Sequence, residues 1–455
     1  LREAVRGKPA DFVEVRLEET KTTNIQFQGP TLHNLAESLS FGGSVRALVG
    51  GGWGFASFNR LDDLERQVDL AIAHARLVAK AVKAQARLAP VDPVVDVVPL
   101  PPGVDPTSLS LRDKKTILED YNSAVLSFGP PIVSSRIRYR DIHTRLHYAN
   151  SEGTYLEQER LDVAGNIAAV ARRDGLTQLG FRGFGGKAGY DLLKAQGPGV
   201  IERCEAARDM LAAPVVQGGE YPVVLDPELA GIFVHEAFGH LSEGDNVYEN
   251  PRLQEIMTLG RRFGPPSLSI FDSGQEAGSQ GHLLYDDEGV PTQRTYLIRD
   301  GLLVGRLHSR ETAGRMGEAV TGSARALDYR FPPIPRMRTT AIEAGTASFE
   351  EMLDGIEVGV YAKGAYGGQT AGEMFTFTAG EAFMIRGGRL AERVRDVTLS
   401  GNVFATLLNI DRVGDDYVIH GSAGGCGKGE QAPLPVGEGA PHIRIQKVVV
   451  GGKGG

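Results

Sequence analysis

Short runs in which apolar and polar residues alternate, separated by clusters of glycine, recur along most of this chain. A period of two buries one set of side chains and leaves the other in water, as half-buried strands do. Residues 11–17 (Asp-Phe-Val-Glu-Val-Arg-Leu) alternate in this way, and Asn24–Gln28, Ser44–Val49 and Gly54–Phe58 are further strand candidates. Glycine accounts for 59 of 455 residues, and most of it lies between such runs, where tight turns are needed. Two hairpins follow from this: Thr295–Arg299 turning through Asp300-Gly301 into Leu302–His308, and Ala382–Arg386 turning through Gly387-Gly388 into Arg389–Ala391. Helical spacing interrupts the pattern at Leu61, Leu64, Val68, Ile72, Ala75, Val78 and Val82, with Asn59 as the expected N-cap. Further helices are expected over Ser110–Leu126 and Pro198–Leu211, and strands from Ile132 to Arg172 with a turn at Asn150–Gly153.

A chain of this length exceeds one hydrophobic core; at roughly 100–200 residues per domain, two or three are expected. The proline-rich stretch Pro90–Pro106 reads as a linker, and the C-terminal Gly451–Gly455 as a frayed tail. The expected division is an N-terminal α/β domain (1–100), a middle α/β segment (107–215) and a β-rich C-terminal domain (216–455). The fold class is α+β: a mixed α/β N-terminal part with helices on a sheet, then a β-rich domain carrying the functional residues. A net charge of -8 disfavours a nucleic-acid partner, which needs basic surface to neutralise phosphate. The only cysteines are Cys204 and Cys426, so a disulfide scaffold is not expected and a reducing cytoplasm fits. No apolar run reaches the ~18 residues of a membrane helix.

The chemistry concentrates in one segment. Asp226 and Pro227 suit an N-cap and a first helical position, which places His235 and Glu236 near the end of a helix of two to three turns. His240 follows His235 by five residues, one more than in the H-E-x-x-H zinc helix. On a regular α-helix that separates the two imidazoles by ~140°. They converge only if the helix widens or His240 lies just past its end, and Gly239 makes either feasible. Two imidazoles suit zinc, a catalytic site keeps three protein ligands and an open position, and Glu236 is the natural base for the bound water. Glycine-flanked Cys426 is the best third ligand, with Glu243 and Asp245 as competitors for that place or for hydrogen bonds to a histidine. Cys204 reads as a packing residue, and His282, His308 and His420 as structural.

With these residues placed, the chain resembles the TldD/PmbA family of metallopeptidases, over most of its length and most strongly after residue 220. The motifs are His235-Glu236-Ala237-Phe238-Gly239-His240 with Glu243-Gly244-Asp245, Asp286-Asp287-Glu288-Gly289, Pro335-Arg336-Met337, Gly367-Gly368-Gln369, and Gly425-Cys426-Gly427-Lys428 followed by Pro433–Gly437. The resemblance implies zinc held by His235, His240 and Cys426, with Glu236 as the catalytic base. It points to the catalytic TldD type rather than the PmbA/TldE type, which lacks these residues. It also implies unfolded peptides as substrates, and either a homodimer or a heterodimer with a PmbA/TldE-type subunit. One departure lies at Pro335–Thr340, where TldD has an Asn near Thr339 that this chain lacks; if that Asn touches substrate, a different specificity is expected. Other readings of the same residues are a metal-dependent hydrolase of a small natural product, a non-catalytic scaffold with a structural metal, and a Cys426 nucleophile.

Overall fold

The computed structural model describes residues 1–451, so most of the expected C-terminal tail (452–455) lies outside the described residues. The alternating N-terminal runs build one seven-stranded sheet. Its order is Gly52–Phe58, Thr31–Val49, Phe12–Gln28, Ile132–Asn150, Tyr155–Arg173, with Val95–Val98 and Leu176–Gly186 both on the far side of Tyr155–Arg173. The two candidates Asp11–Leu17 and Asn24–Gln28 are parts of one strand of 17 residues. The polar stretch between them is still strand because Glu18, Thr20 and Thr22 face a polar cavity rather than the core. The strand Phe12–Gln28 pairs along its length with Ile132–Asn150, so segments 1–100 and 107–215 share a sheet.

The helix Leu64–Ala79 covers one end of this sheet, burying Val68, Ala71, Ile72 and Ala75. Asn59 does not cap it. The chain first makes a 3-10 turn at Leu61–Asp63, and the α-helix begins at Leu64 without a side-chain cap. The helix Leu111–Ser127 begins at a reciprocal cap between Ser110 and Asp113, and with Gly197–Met210 it covers the other end. Cys204 is fully buried there among Leu118, Val125 and Val200, a packing residue as its position suggested. Pro90–Pro106 is more than a linker: Val95–Val98 pairs in parallel with Tyr155–Gln158. Proline holds the neighbouring chain extended, and an edge strand needs only a row of backbone groups to pair with.

In the C-terminal part, Val358–Ala371 pairs with both Gly219–Leu225 and Met374–Arg386. The strands Ile443–Gly451 and Thr398–Asn402 complete the circuit, so this sheet closes on itself. A second, six-stranded sheet runs Leu302–Leu303, Arg294–Arg299, Ile270–Ser273, Thr339–Ile342, Gly437–Ala440, Val418–His420. The short helix Pro227–Val234 lies between the two sheets. Its Phe233 packs edge-on against Phe375 and Phe377 on one side, with ring centroids 5.3 and 6.1 Å away. Its Gly231 meets the backbone of Glu438 on the other. Burying an aromatic side chain of this kind is worth about 1.5–3 kcal/mol, so the helix carrying the histidines is anchored from both sides.

The Asp300-Gly301 turn has both central φ angles positive, at 52 and 77°, as a two-residue hairpin requires. Its second strand ends at Leu303 rather than His308. Leu307 instead bonds the loop after His240, donating to Ser242 O and accepting from Gly244 N (both 2.8 Å). The acidic run Asp286–Glu288 joins the two halves of the molecule. Asp286 accepts the amides of Glu288, Val290 and Ala324, while Asp287 faces Arg160 (3.3 Å) and Glu288 faces Arg46 (2.7 Å) on the N-terminal sheet.

Candidate metal centre

Asp226 caps the central helix by accepting the Leu229 amide (2.9 Å), and Pro227 occupies its first turn. At His235–Gly239 the helix widens into a π turn, followed by a 3-10 turn at His240–Ser242. Closing its hydrogen-bonded loop over five residues instead of four is what brings side chains five apart towards one face. Gly239 does not end the helix, since its φ and ψ are helical at -56 and -53°. It is required by space: a Cβ there would overlap the Met337 sulfur. Gly239→Ala is expected to destabilise the fold by about 1–3 kcal/mol, the cost of overpacking a close contact. A thermal melt with no change from the parent would contradict this.

The imidazoles of His235 and His240 stand nearly perpendicular (85°) with centroids 5.3 Å apart. Cys426 arrives on the strand Cys426–Lys428, and its Sγ lies 3.3 Å from His240 Nε2. The glycine before it has φ 148°, a conformation that other residues rarely adopt. One donor atom from each of His235, His240 and Cys426 lies within 4.8 Å of the others. His235 and Cys426 are almost fully buried, at 1 and 3% exposure. Burial works against charge on the imidazoles, but Cys426, together with Glu438 at His235 and Glu243 at His240, more than offsets it, so both are raised, His240 to about 10. Burial likewise opposes a thiolate, but His235 and His240 bring Cys426 down to about 4. Negative sulfur between two imidazoles is a place for positive charge. His235 Nδ1 is buried without a hydrogen-bond partner, and the donor set of two imidazoles and a thiolate fits zinc.

Glu243 and Asp245 are not among these converging donors. Glu243 is fully buried behind His240, whose Nδ1 lies 3.3 Å from Oε2. Lys428 (3.1 Å) and Asn246 (3.1 Å) reach the same carboxylate. Burial would raise Glu243, but His240 and Lys428 hold it below the usual carboxylate range. Asp245 is held by Lys428 at 2.6 Å. Arg336, also fully buried, donates to Cys426 O (2.8 Å) and Gln431 O (3.1 Å), which fixes the hairpin that carries the cysteine. If Glu243 orients His240, Glu243→Gln should weaken zinc binding about 10–100-fold in a chelator competition while the fold persists. Unchanged affinity would remove Glu243 from the site.

Glu236 is half-buried and lines an open cleft of about 560 Å3 with His240, Asn246, Gly368, Gln369 and Gly427. The other histidines stand apart. His282 bonds Gly274 O (2.9 Å), His308 is enclosed by Thr312 and Glu318 (3.0 Å each), and His420 faces a separate pocket with Asp226 and Glu228. Sequence reasoning missed Glu438. Burial pushes it up to about 7; His235 pulls the other way, and Glu236 and Cys426 add to the rise. A lone glutamate between two glycines carries no local signal of this. The parts of Arg336 and Lys428 were equally hidden, although both lie in motifs already singled out.

Models of the three domains of the PmbA/TldA metallopeptidases match in order: domain 1 over residues 13–84, the central domain over 104–211 and the C-terminal domain over 218–452. A metalloprotease of Synechocystis is 50% identical, over 97% of this chain and 95% of its own length. A zinc metalloprotease TldD homolog of Saccharolobus solfataricus is 29% identical over 97% of each chain. Among solved structures, TldE from Thermococcus kodakarensis superposes with a TM-score of 0.78 at 17% identity over 97% of both chains, a likeness of fold. By its matched domains and its relatives, this chain belongs to the PmbA/TldD family of metallopeptidases.

Proposed function

We propose that the protein is a zinc-dependent peptidase acting on unfolded or extended peptides, with zinc on His235, His240 and Cys426 and Glu236 as general base. The observation that carries this reading is the convergence of three metal-type donors beside an open cleft whose wall includes Glu236. Bound zinc would acidify a water and polarise the scissile carbonyl. Glu236 follows His235 in the chain and faces the cleft, so its carboxylate is available to take a proton there and return it to the leaving amine. Glu243 fixes the His240 ring, and Arg336 fixes the backbone of Cys426. A closed structural zinc site has four protein ligands; three converge here among the described residues, which favours catalysis over a scaffold role. Against a Cys426 nucleophile stands its burial: Gly427, not Cys426, lines the cleft.

The cleft also favours a peptide over a compact small molecule. On its second edge the strand Val358–Ala371 pairs with Gly219–Leu225 only at Val360–Ala362. Gly368, Gln369 and Thr370, further along, line the cleft wall. A strand edge of this kind accepts an extended peptide through main-chain hydrogen bonds and is tolerant of its sequence. Disordered peptides of varied sequence should therefore be cut, and the same sequences inside a stable folded domain spared. Cleavage of the folded domain at an equal rate, under conditions where it stays folded, refutes this mode of access.

We further propose a second subunit, either another copy or a PmbA/TldE-type chain, a cytoplasmic location, and the division into units 1–100, 107–215 and 216–455. The strand Gly52–Phe58 covers Thr31–Val49 only from Gly43 onward, and Leu35, Leu39 and Phe41 are exposed on the uncovered part. That edge offers a surface for a partner. No helix among the described residues is long and apolar enough to cross a membrane.

A further inference from the structure

A cavity of about 420 Å3 lies between the N-terminal sheet and the C-terminal part of the chain, apart from the metal centre. Its floor is one face of the sheet. Strand register places Ser40, Thr20, Thr144 and Arg160 in a single cross-strand row, three hydroxyls and a guanidinium side by side. The Thr20 and Thr144 hydroxyl oxygens are 3.1 Å apart. The opposite wall is formed by Asp287, residues 325–330 and residues 432–435.

Six cations line this space: Arg16, Arg140, Arg160, Lys187, Arg325 and Arg330. The four carboxylates that face them are already engaged. Asp162 pairs with Lys187, and Asp328 pairs with Arg330 (2.5 Å). Glu18 pairs with Arg16 and accepts the Tyr329 amide (3.0 Å). Asp287 pairs with Arg160 (3.3 Å) and accepts the Ala326 amide (3.0 Å).

Positive charge is left over. The Arg140 side chain makes no ion pair or hydrogen bond among the described residues; burial lowers it, and Asp162 acts on it only from a distance. Among the described residues the Arg325 guanidinium donates only to the carbonyl oxygens of Met337 (2.6 Å) and Pro435 (2.7 Å). Burial, then Arg338 and Arg336, push it down to about 9. Arg16 is 5% exposed and shares Glu18 and Asp287 (3.8 Å), but its Nε and Nη1 have no hydrogen-bond partner. Six cations against four carboxylates leave an excess of positive charge, and a cavity that keeps it beside a row of hydroxyl donors suits an anion.

We propose that this cavity is a binding site for a small organic oxyanion, a phosphate or a carboxylate. Arg16, Arg140 and Arg325 grip the charged group, and Ser40, Thr20 and Thr144 hydrogen-bond to it. The volume falls in the range of small-molecule sites, roughly 300–1,000 Å3. No cysteine, histidine or metal-site residue lines it, so it is separate from the metal centre. Its far wall includes Leu434, the register partner of Cys426, so an occupant lies one strand behind the metal centre.

The test is calorimetric titration of the full chain with inorganic phosphate and with succinate, with glycerol as a neutral control. Saturable binding of at least one anion is expected, with a Kd of about 1 mM or tighter. It should weaken with added salt and fall about tenfold or more in Arg140→Gln. Thr144→Val, which removes a hydroxyl and no charge, should weaken it as well and serves if Arg140→Gln does not fold. The anion that binds more tightly identifies the source of the oxyanion. Absence of saturable binding by both, or binding undiminished in the folded variants, overturns the proposal.

Discussion

Glu236→Gln is expected to keep the fold and its zinc and to lose at least ~100-fold in peptide turnover, the scale of removing a general base. Glutamine matches glutamate in size, so the half-buried position beside His235 is not emptied. What changes is that a neutral amide cannot accept the proton of an activated water. The loss should appear in kcat and in kcat/KM alike, because the interaction belongs to the transition state rather than to substrate binding. Metal content and the thermal melt should match the parent. Turnover near the parent's, with zinc in place, would assign the base to another residue, and Glu438 is the next carboxylate to replace.

The second large effect concerns the donors. His235→Ala, His240→Ala and Cys426→Ala are each expected to abolish most zinc occupancy after purification, while Cys204→Ala leaves it unchanged. The contrast between the cysteines is physical. Cys204 is packed among Leu118, Val125 and Val200, and burial pushes its thiol up to about 11. Cys426 lies against two imidazoles that favour its thiolate, the form a metal binds. Full occupancy in Cys426→Ala combined with loss in Glu243→Ala would mean that the third ligand had been misassigned.

Much of this site was legible in the sequence because local chemistry dictates it. Asp226 and Pro227 announce a helix start, and the five-residue spacing left two ways for the imidazoles to converge, a widened helix or a His240 just past its end; the helix widens at His235–Gly239. What local pattern could not supply was the reason for the glycine. Its φ and ψ are ordinary, and the constraint comes from Met337, 98 positions later in the chain. Glu438, Arg336 and Lys428 were hidden for the same reason, since their roles exist only after distant strands meet. The N-terminal strands were legible from alternation. Glu18–Thr22 was not, because a strand facing a polar cavity lacks the apolar half of the pattern. The single sheet shared by residues before and after Pro90–Pro106 is a matter of pairing, which composition does not encode.

The most direct test of the central claim is zinc titration of chelator-stripped protein, with metal content by elemental analysis and cleavage of a disordered peptide followed on the same samples. The account predicts that activity rises in proportion to zinc and levels off at a single ion per chain, and that Cys426→Ala neither retains the ion nor recovers activity. Stripped protein that cuts the peptide as fast as the reconstituted enzyme, or a Cys426→Ala variant that regains both zinc and turnover, would contradict it.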